Sequence, residues 1–336
     1  MCDRSADDAF GRLVQRLAAA GRLLIVSHAR PDGDTLGSAA ALAAAAIAAG
    51  KAATVLLPGP LPPQYAMLFA AAPPAGAERF AALADEADVV VIVDTCAAGQ
   101  LDDVAPALAG RREKIVVVDH HATTDDIASV RWIDTTAAAA GVMTWELIAA
   151  LGWPVPPAAA EALWVAVATD TGWFRFSNTD GRCLRIAAGL LDAGVRPDEL
   201  YARLYQSDRP ERLRLVTRAL QSLTLHAGGR VATMVLRRAD FAQTGARADE
   251  TENIVNEALR MGCVEVAVLL AESPDAAEPA PVRASLRSRG GVDVARLARR
   301  FGGGGHARAA GLRREGDIDA LAAELVAACA EALGEG

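Results

Sequence analysis

The stretch Arg22-Leu23-Leu24-Ile25-Val26-Ser27-His28-Ala29-Arg30-Pro31-Asp32-Gly33-Asp34-Thr35-Leu36-Gly37-Ser38 runs from an apolar strand, through a short polar loop, into a helix. Arg22 to Val26 has the unbroken hydrophobicity of a strand covered on both faces. Pro31 and Gly33 keep the loop from becoming helix, and an alanine-rich helical pattern begins at Leu36. One imidazole (His28) and two carboxylates (Asp32, Asp34) therefore sit where a strand hands over to a helix. Open α/β sheets bind their ligands at such carboxyl ends. Taken alone, His28 could cap the following segment, and the two aspartates could be turn formers.

Three further segments weigh against that bland reading. Val89-Val90-Val91-Ile92-Val93 is a continuous apolar run that ends in Asp94. Ile115-Val116-Val117-Val118 ends in the triplet Asp119-His120-His121. Trp164 to Thr169 is an apolar stretch with a helical pattern, closed by Asp170. Asp94 and Asp170 could each be a helix N-cap. Yet the chain holds only five histidines, and three of them fall in these motifs. Repeated apolar runs that each end in a metal-ligand type predict donors gathered along one edge of a sheet.

Alternating strand and helix patterns in the first half predict an α/β fold with a doubly wound, mainly parallel sheet. After Asp170 the pattern is mostly helical, and Arg209 to Leu225 is long and charged enough to be a connecting helix. We expect a catalytic domain over residues 1–200, a helical linker over 201–225 and a smaller α/β domain over 226–336. In the latter, strands Glu265–Ala271 and Val282–Arg287 flank a Pro-, Ala- and acid-rich loop, Ser273–Pro281.

The chain has 336 residues, enough for two cores. Its five cysteines (Cys2, Cys96, Cys183, Cys263, Cys329) are scattered and form no Cys-x-x-Cys, which argues against a disulfide framework or structural zinc. Cys96 reads as a small apolar residue rather than a ligand. No basic segment followed by an apolar core opens the chain, and the Ala39–Ala49 run is too short and weakly apolar to span a bilayer. A cytoplasmic enzyme without membrane attachment is expected.

The second domain carries Arg299-Arg300-Phe301-Gly302-Gly303-Gly304-Gly305-His306-Ala307-Arg308, preceded by Arg287-Ser288-Arg289. Four successive glycines would let backbone N–H groups converge on an anion, and the run lies between helical patterns. From Val282 to Arg314 there are nine arginines and a single acid, Asp293, in a chain of net charge −8. So concentrated a basic segment suits a phosphate group. A flexible linker beside a solvated helix face is the alternative.

Oxygen and imidazole donors without thiolates suit Mn2+, with Mg2+ or Co2+ as alternatives. Four aspartates and two histidines exceed what one ion needs but match two divalent ions sharing a carboxylate, the arrangement that activates water and clamps a phosphoryl oxygen. Hydrolysis of a phosphoester follows. Trp173, Phe174 and Phe176 could stack on a base, although core packing is the commoner fate of such residues.

These motifs, in this order and with this tail, resemble the DHH–DHHA1 phosphoesterase superfamily in its short branch of nanoRNase, or oligoribonuclease and pAp phosphatase, enzymes. The resemblance runs from the His28 motif through Asp119-His120-His121 to Gly302–Gly311. It implies a first ion on His28, Asp32 and Asp94, and a second on Asp34, Asp94, His120 and Asp170, with Asp94 bridging. It also implies that His121 meets the scissile phosphate, that Asp119 orients a histidine, and that Arg287, Arg289, Gly303, Gly304 and His306 hold the far end of the substrate. The implied substrates are short oligoribonucleotides and adenosine 3′,5′-bisphosphate, with cyclic di-AMP or its linear product as the alternative. A homodimer is a family-level expectation.

Overall fold

The computed structural model describes residues 4–101, 104–274 and 281–334, the side chains of residues 4–7 and of His306 excepted. Cys2 and most of the loop expected at Ser273–Pro281 lie outside the described residues. The chain divides into two compact units, Met1–Ser207 and Asp208–Gly336.

The first unit runs α1 (Arg4–Ala19), β1 (Arg22–Val26), α2 (Gly33–Ala48), β2 (Ala52–Leu57), β3 (Ala75–Gly76), α3 (Phe80–Glu86) and β4 (Val89–Val93). It continues with α4 (Ala105–Leu108), β5 (Ile115–Asp119), β6 (Val130–Ile133), α5 (Ala140–Ala150), α6 (Pro157–Asp170), α7 (Gly181–Asp192) and α8 (Pro197–Tyr205). Its six strands form one sheet in the order β3-β2-β1-β4-β5-β6, every pairing parallel.

The valine runs are apolar at every position because both faces are covered. Leu23, Ile25, Val91, Val93, Val116 and Val118 enter one core. Their neighbours Leu24, Val26, Val90, Ile92, Ile115 and Val117 enter the other. Cys96 is buried in this second core, as a small apolar residue would be. Strand order reverses between β1 and β4, which opens a crevice at their carboxyl ends.

The alanine-rich composition of α2 follows from how close it lies to α6. A Cβ on Gly37 would overlap the Ala162 carbonyl, and one on Gly33 would overlap the Thr169 side chain. On α5, Gly141 approaches the Ala166 methyl just as closely. Small side chains let these three backbones meet and bring the ends of α2, α5 and α6 together beside the crevice.

The second unit comprises α9 (Pro210–Gln221), β7 (Thr224–His226), β8 (Val231–Leu236), α10 (Arg238–Thr244), α11 (Val255–Ala258) and β9 (Val266–Glu272). These are followed by β10 (Val282–Ser288), α12 (Val294–Arg300), β11 (Gly304–His306), β12 (Ala309–Arg314) and α13 (Ile318–Ala332). The sheet order is β11-β12-β10-β9-β8-β7, antiparallel except for the β8–β9 pair. The segment expected to connect the domains holds α9, which buries Leu215 and Ala219 against Ala232 and Met234 of this sheet. Among the described residues no helix is long and apolar enough to cross a membrane.

Candidate metal centre

Five elements set the six donors in place, Asp32 and Asp34 both at the start of α2. His28 lies two residues beyond β1, Asp94 directly after β4, and Asp119 ends β5 with His120 and His121 following. Asp170 closes α6. Potential ligand atoms converge in three overlapping groups: His28, Asp32 and Asp94; Asp34, His120 and Asp170; and Asp94, His120 and His121. All six residues expected as metal donors are thus brought together, with His121 beside them.

Asp94 is the hinge of the cluster. It is 2 % exposed and adopts φ 63°, a left-handed conformation that Asp tolerates better than most residues. Its N–H donates to Val118 O at 2.8 Å, so the bend is built into the sheet edge. Oδ2 accepts from the Thr35 hydroxyl and lies 3.7 Å from His28 Nε2. Oδ1 faces His120 Nε2 at 3.3 Å and His121 Nδ1 at 3.7 Å.

Asp34 is buried, and its carboxylate caps a helix more than a hundred residues away. It accepts from Ala140 N at 2.6 Å and Gly141 N at 2.8 Å at the start of α5. The N-cap residue of that helix, Ala139, has no side chain able to do this. Asp32 caps its own helix, accepting from Asp34 N and Thr35 N through Oδ1. His120 donates Nδ1–H to Ala137 O at 3.1 Å, which directs Nε2 at the carboxylates of Asp94, Asp34 and Asp170. His121 donates Nδ1–H to Asp119 Oδ1 at 2.8 Å, and its ring is half-exposed.

So many charges in a dry space perturb one another. Burial, then the Asp94 and Asp170 carboxylates, raises the Asp34 pKa well above the usual range. Burial raises Asp170 to about 6 despite the neighbouring His120. Burial works against charge on His120, but the Asp94 and Asp34 carboxylates outweigh it and raise its pKa. Burial likewise opposes charge on Asp94, and His120, His28 and Thr35 together overcome it, lowering its pKa. The Asp119 contact raises His121 against partial burial.

One atom tests whether the cluster suits divalent cations. Asp94 Oδ1 is buried and accepts no hydrogen bond. A buried carboxylate oxygen that accepts no hydrogen bond, and meets only His120 and His121 across looser ion-pair distances amid four other carboxylates, is one that a divalent cation would complete. The donors therefore fit.

Several contributors had no visible signal in the sequence. Thr35 holds Asp94. Asn178 donates to Ala138 O at 2.9 Å and to Asp170 O at 3.2 Å, tying the end of α6 to the turn before α5. Arg182 binds Glu146 through both nitrogens of its fork and Asp134 at 2.6 Å, bracing that same turn. Just past Asp170, Gly172, Trp173 and Phe174 take positive φ in succession (56°, 57° and 62°). For the two aromatic residues this conformation costs about 1–2 kcal/mol each.

In the second unit Arg287 and His306 occupy one register row, each paired with Ala309 from opposite sides of β12. The apolar cover over β9 ends at β10, so Arg283 is exposed and Arg287 half-buried. The glycine run differs from the expectation. It lies between a helix and a hairpin, and its first two amides are already used. Gly302 takes φ 78°, its N–H donates to Arg299 O, and that of Gly303 donates to Ala298 O at 2.9 Å, closing α12 in a Schellman turn. Gly303 matters for what it lacks, since a Cβ there would overlap the Gly311 carbonyl. Gly304 pairs with Gly311 in β11. Arg289 donates to the carbonyls of Leu259 and Gly262, which ties it to the α11 turn.

A parallel sheet that gathers carboxylates and imidazoles at its reversal point defines a metal-dependent hydrolase of phosphoester bonds. The chain belongs to the DHH–DHHA1 phosphoesterase family: the DHH family N-terminal domain matches residues 22–168, and the DHHA1 domain matches residues 228–332. It is 31% identical over 306 residues to the bifunctional oligoribonuclease and PAP phosphatase NrnA of Thermus thermophilus, covering 90% of this chain and 87% of that one. Identity to the Bacillus subtilis protein of the same name is 26% over 332 residues, covering 95% and 98%. An exopolyphosphatase-related protein from Bacteroides fragilis shares the fold with a TM-score of 0.88 at 24% identity, covering 100% of this chain and 98% of that one.

Proposed function

We propose that this protein hydrolyses short oligoribonucleotides to mononucleotides and removes the 3′-phosphate of adenosine 3′,5′-bisphosphate, using two Mn2+ ions in the cytoplasm. The observation that carries the reading is the buried Oδ1 of Asp94, which accepts no hydrogen bond and lies where the donor groups meet. Both NrnA-named relatives support the substrate class, since each aligns over nearly the whole chain. The described cysteines are all free, which suits a reducing compartment.

His28, Asp32 and Asp94 would hold one cation, and Asp34, His120 and Asp170 the other, with Asp94 shared. Bound there, the pair would supply Lewis acidity to a phosphoryl oxygen and lower the pKa of a bound water. The protein's own groups do the rest. Ala137 O keeps the His120 proton on Nδ1 and presents Nε2 as a donor. The amides of Ala140 and Gly141 fix the Asp34 carboxylate before any ligand arrives. Asp119 orients His121 and favours its charged form, so the exposed imidazolium can meet the scissile phosphate and give a proton to the leaving oxygen. Arg287, Arg289 and the His306 row beside Gly303 and Gly304 would retain the far phosphate.

The test is kcat/KM in Mn2+ for a linear 5′-phosphorylated diribonucleotide, with adenosine 3′,5′-bisphosphate and cyclic di-AMP run beside it. Preference for the first two is the expected result. Cleavage of cyclic di-AMP as fast or faster would overturn the substrate assignment.

A further inference from the structure

The turn after Asp170 sorts three aromatic residues into two fates. Trp173 packs edge-on against Tyr201 and Tyr205 of α8, ring centroids 4.9 and 5.8 Å away. Phe174 meets Trp164 edge-on at 5.5 Å. Phe176 goes the other way and is 55% exposed. Its ring tip rests on Gly172, where a Cβ would overlap it.

Nothing in this turn is loose. Trp173 N donates to Ala168 O at 2.6 Å, and the amides of Arg175 and Phe176 both donate to Thr171 O at 3.0 Å. Phe174 N donates to Thr171 Oγ1 at 3.1 Å, and Arg175 Nε to Gly172 O at 2.7 Å. Phe176 is bracketed in sequence by Gly172, which carries its ring, and Asn178, whose amide reaches Asp170 O. A flat, apolar ring is therefore presented to water on a hydrogen-bonded turn that begins at Asp170, a candidate metal donor, and is tied back to its carbonyl through Asn178.

We propose that Phe176 is a stacking platform for a nucleobase of the substrate, and that Gly172 is the shelf that lets its ring lie there. The inference rests on the proposed action on short RNA and deepens it. Stacking on an aromatic face holds any of the four bases, because each has a π-face, and adds affinity without reading sequence. A platform carried on a turn already held by hydrogen bonds loses little backbone freedom when the base arrives. This is the specificity an enzyme needs if it must accept every dinucleotide and reject phosphoesters that lack a base.

The experiment compares wild type, Phe176→Ala and Phe176→Tyr in Mn2+ on a 5′-phosphorylated diribonucleotide and on its analogue with both bases removed. We expect Phe176→Ala to lose roughly tenfold in kcat/KM on the base-bearing substrate, chiefly through KM. The loss on the abasic analogue should be much smaller, and Phe176→Tyr should retain wild-type behaviour on both. Equal losses on the two substrates, or no loss on either while the wild type is active, would overturn the inference alone. A wild type inert on both would refute the substrate reading and this inference with it. Unchanged melting temperatures keep the comparison free of folding effects.

Discussion

Nε2 of His120 lies 3.3 Å from Oδ1 of Asp94, a buried oxygen that accepts no hydrogen bond. The two residues leave neighbouring strands, β5 and β4, beside the β1–β4 boundary where the strand order reverses. Each is already held from behind: Asp94 by the Thr35 hydroxyl, His120 by the Ala137 carbonyl. Their facing atoms are what remains for a ligand.

Replacing Asp94 by Asn keeps the shape but removes the shared charge. We expect Asp94→Asn to lose about a thousandfold or more in kcat/KM, as the several kcal/mol attributed to a two-cation clamp would require. Near-wild-type turnover in a folded variant would sink the two-ion arrangement.

Thr35 is fully buried and fixes one oxygen of Asp94. Thr35→Val should retain the fold and lower Mn2+ affinity or activity by about 10–100-fold, the usual cost of removing a partner behind a ligand. Titration of Mn2+ dependence in wild type and variant would show it as a rightward shift.

Cation binding should expel protons. Asp34, Asp170 and His120 all have raised pKa values in the metal-free protein, so they retain protons to higher pH than usual. A cation must displace these protons, so its affinity rises with pH until those groups have ionised. Calorimetric titration of the metal-free protein with Mn2+ near neutral pH, in buffers of different ionisation enthalpy, should give different apparent heats. Identical heats across buffers would mean that no proton leaves.

Arg182 braces the turn that carries Ala137. Removing it leaves Asp134 and Glu146 facing each other without a cation in a half-buried setting. Arg182→Met should cost about 1–2 kcal/mol, less than a fully buried pair because water screens it. Asp134 has a lowered pKa: burial opposes its charge, but Thr136 and Arg182 outweigh it. Its contribution is present above the unfolded carboxylate pKa of about 3.9 and is lost as pH falls through the folded value. Chemical denaturation at pH 7 and at pH 3 should therefore show the variant's deficit shrinking in acid.

For the far phosphate, Arg287→Met is a cleaner test than a change at Arg289. Arg289 also holds the carbonyls of Leu259 and Gly262, so its loss would loosen the α11 turn. Arg287→Met should raise KM for adenosine 3′,5′-bisphosphate and leave a minimal phosphodiester much less affected. An equal loss on both would contradict a role as anchor.

The donors were legible in the sequence because a parallel strand covered on both faces leaves no polar position except its end. Val89–Val93 then Asp94, and Ile115–Val118 then Asp119-His120-His121, advertise themselves. Asp170 could be read only from the apolar helix it closes. The parts that escaped are backbone groups and long-range partners. The Ala137 carbonyl and the amides of Ala140 and Gly141 belong to residues whose side chains say nothing of them. Thr35 looks like any helix-start threonine until Asp94 is seen beside it. In the glycine run, the pattern shows freedom of conformation but not its use, so the Schellman turn at Gly302–Gly303 was invisible. The three aromatic residues after Asp170 could not be told apart, because the left-handed turn that separates Phe176 from Trp173 and Phe174 is strained at two residues that do not favour it.

The glycine and alanine contacts among α2, α5 and α6 set more than packing. Asp34 rides on α2 and Asp170 on α6, and between them Gly33 lies against Thr169 with no room for a methyl group. The gap between the two carboxylates is thus gauged by the Gly33 main chain against the Thr169 side chain and, a turn further along, by Gly37 against the Ala162 carbonyl, contacts that larger side chains would pry open. A cation held between Asp34 and Asp170 would therefore be selected by its radius. Small divalent ions would fit without disturbing the helices, whereas a larger ion such as Ca2+ would have to wedge them apart, and a single added methyl at Gly33 or Gly37 would recalibrate the choice.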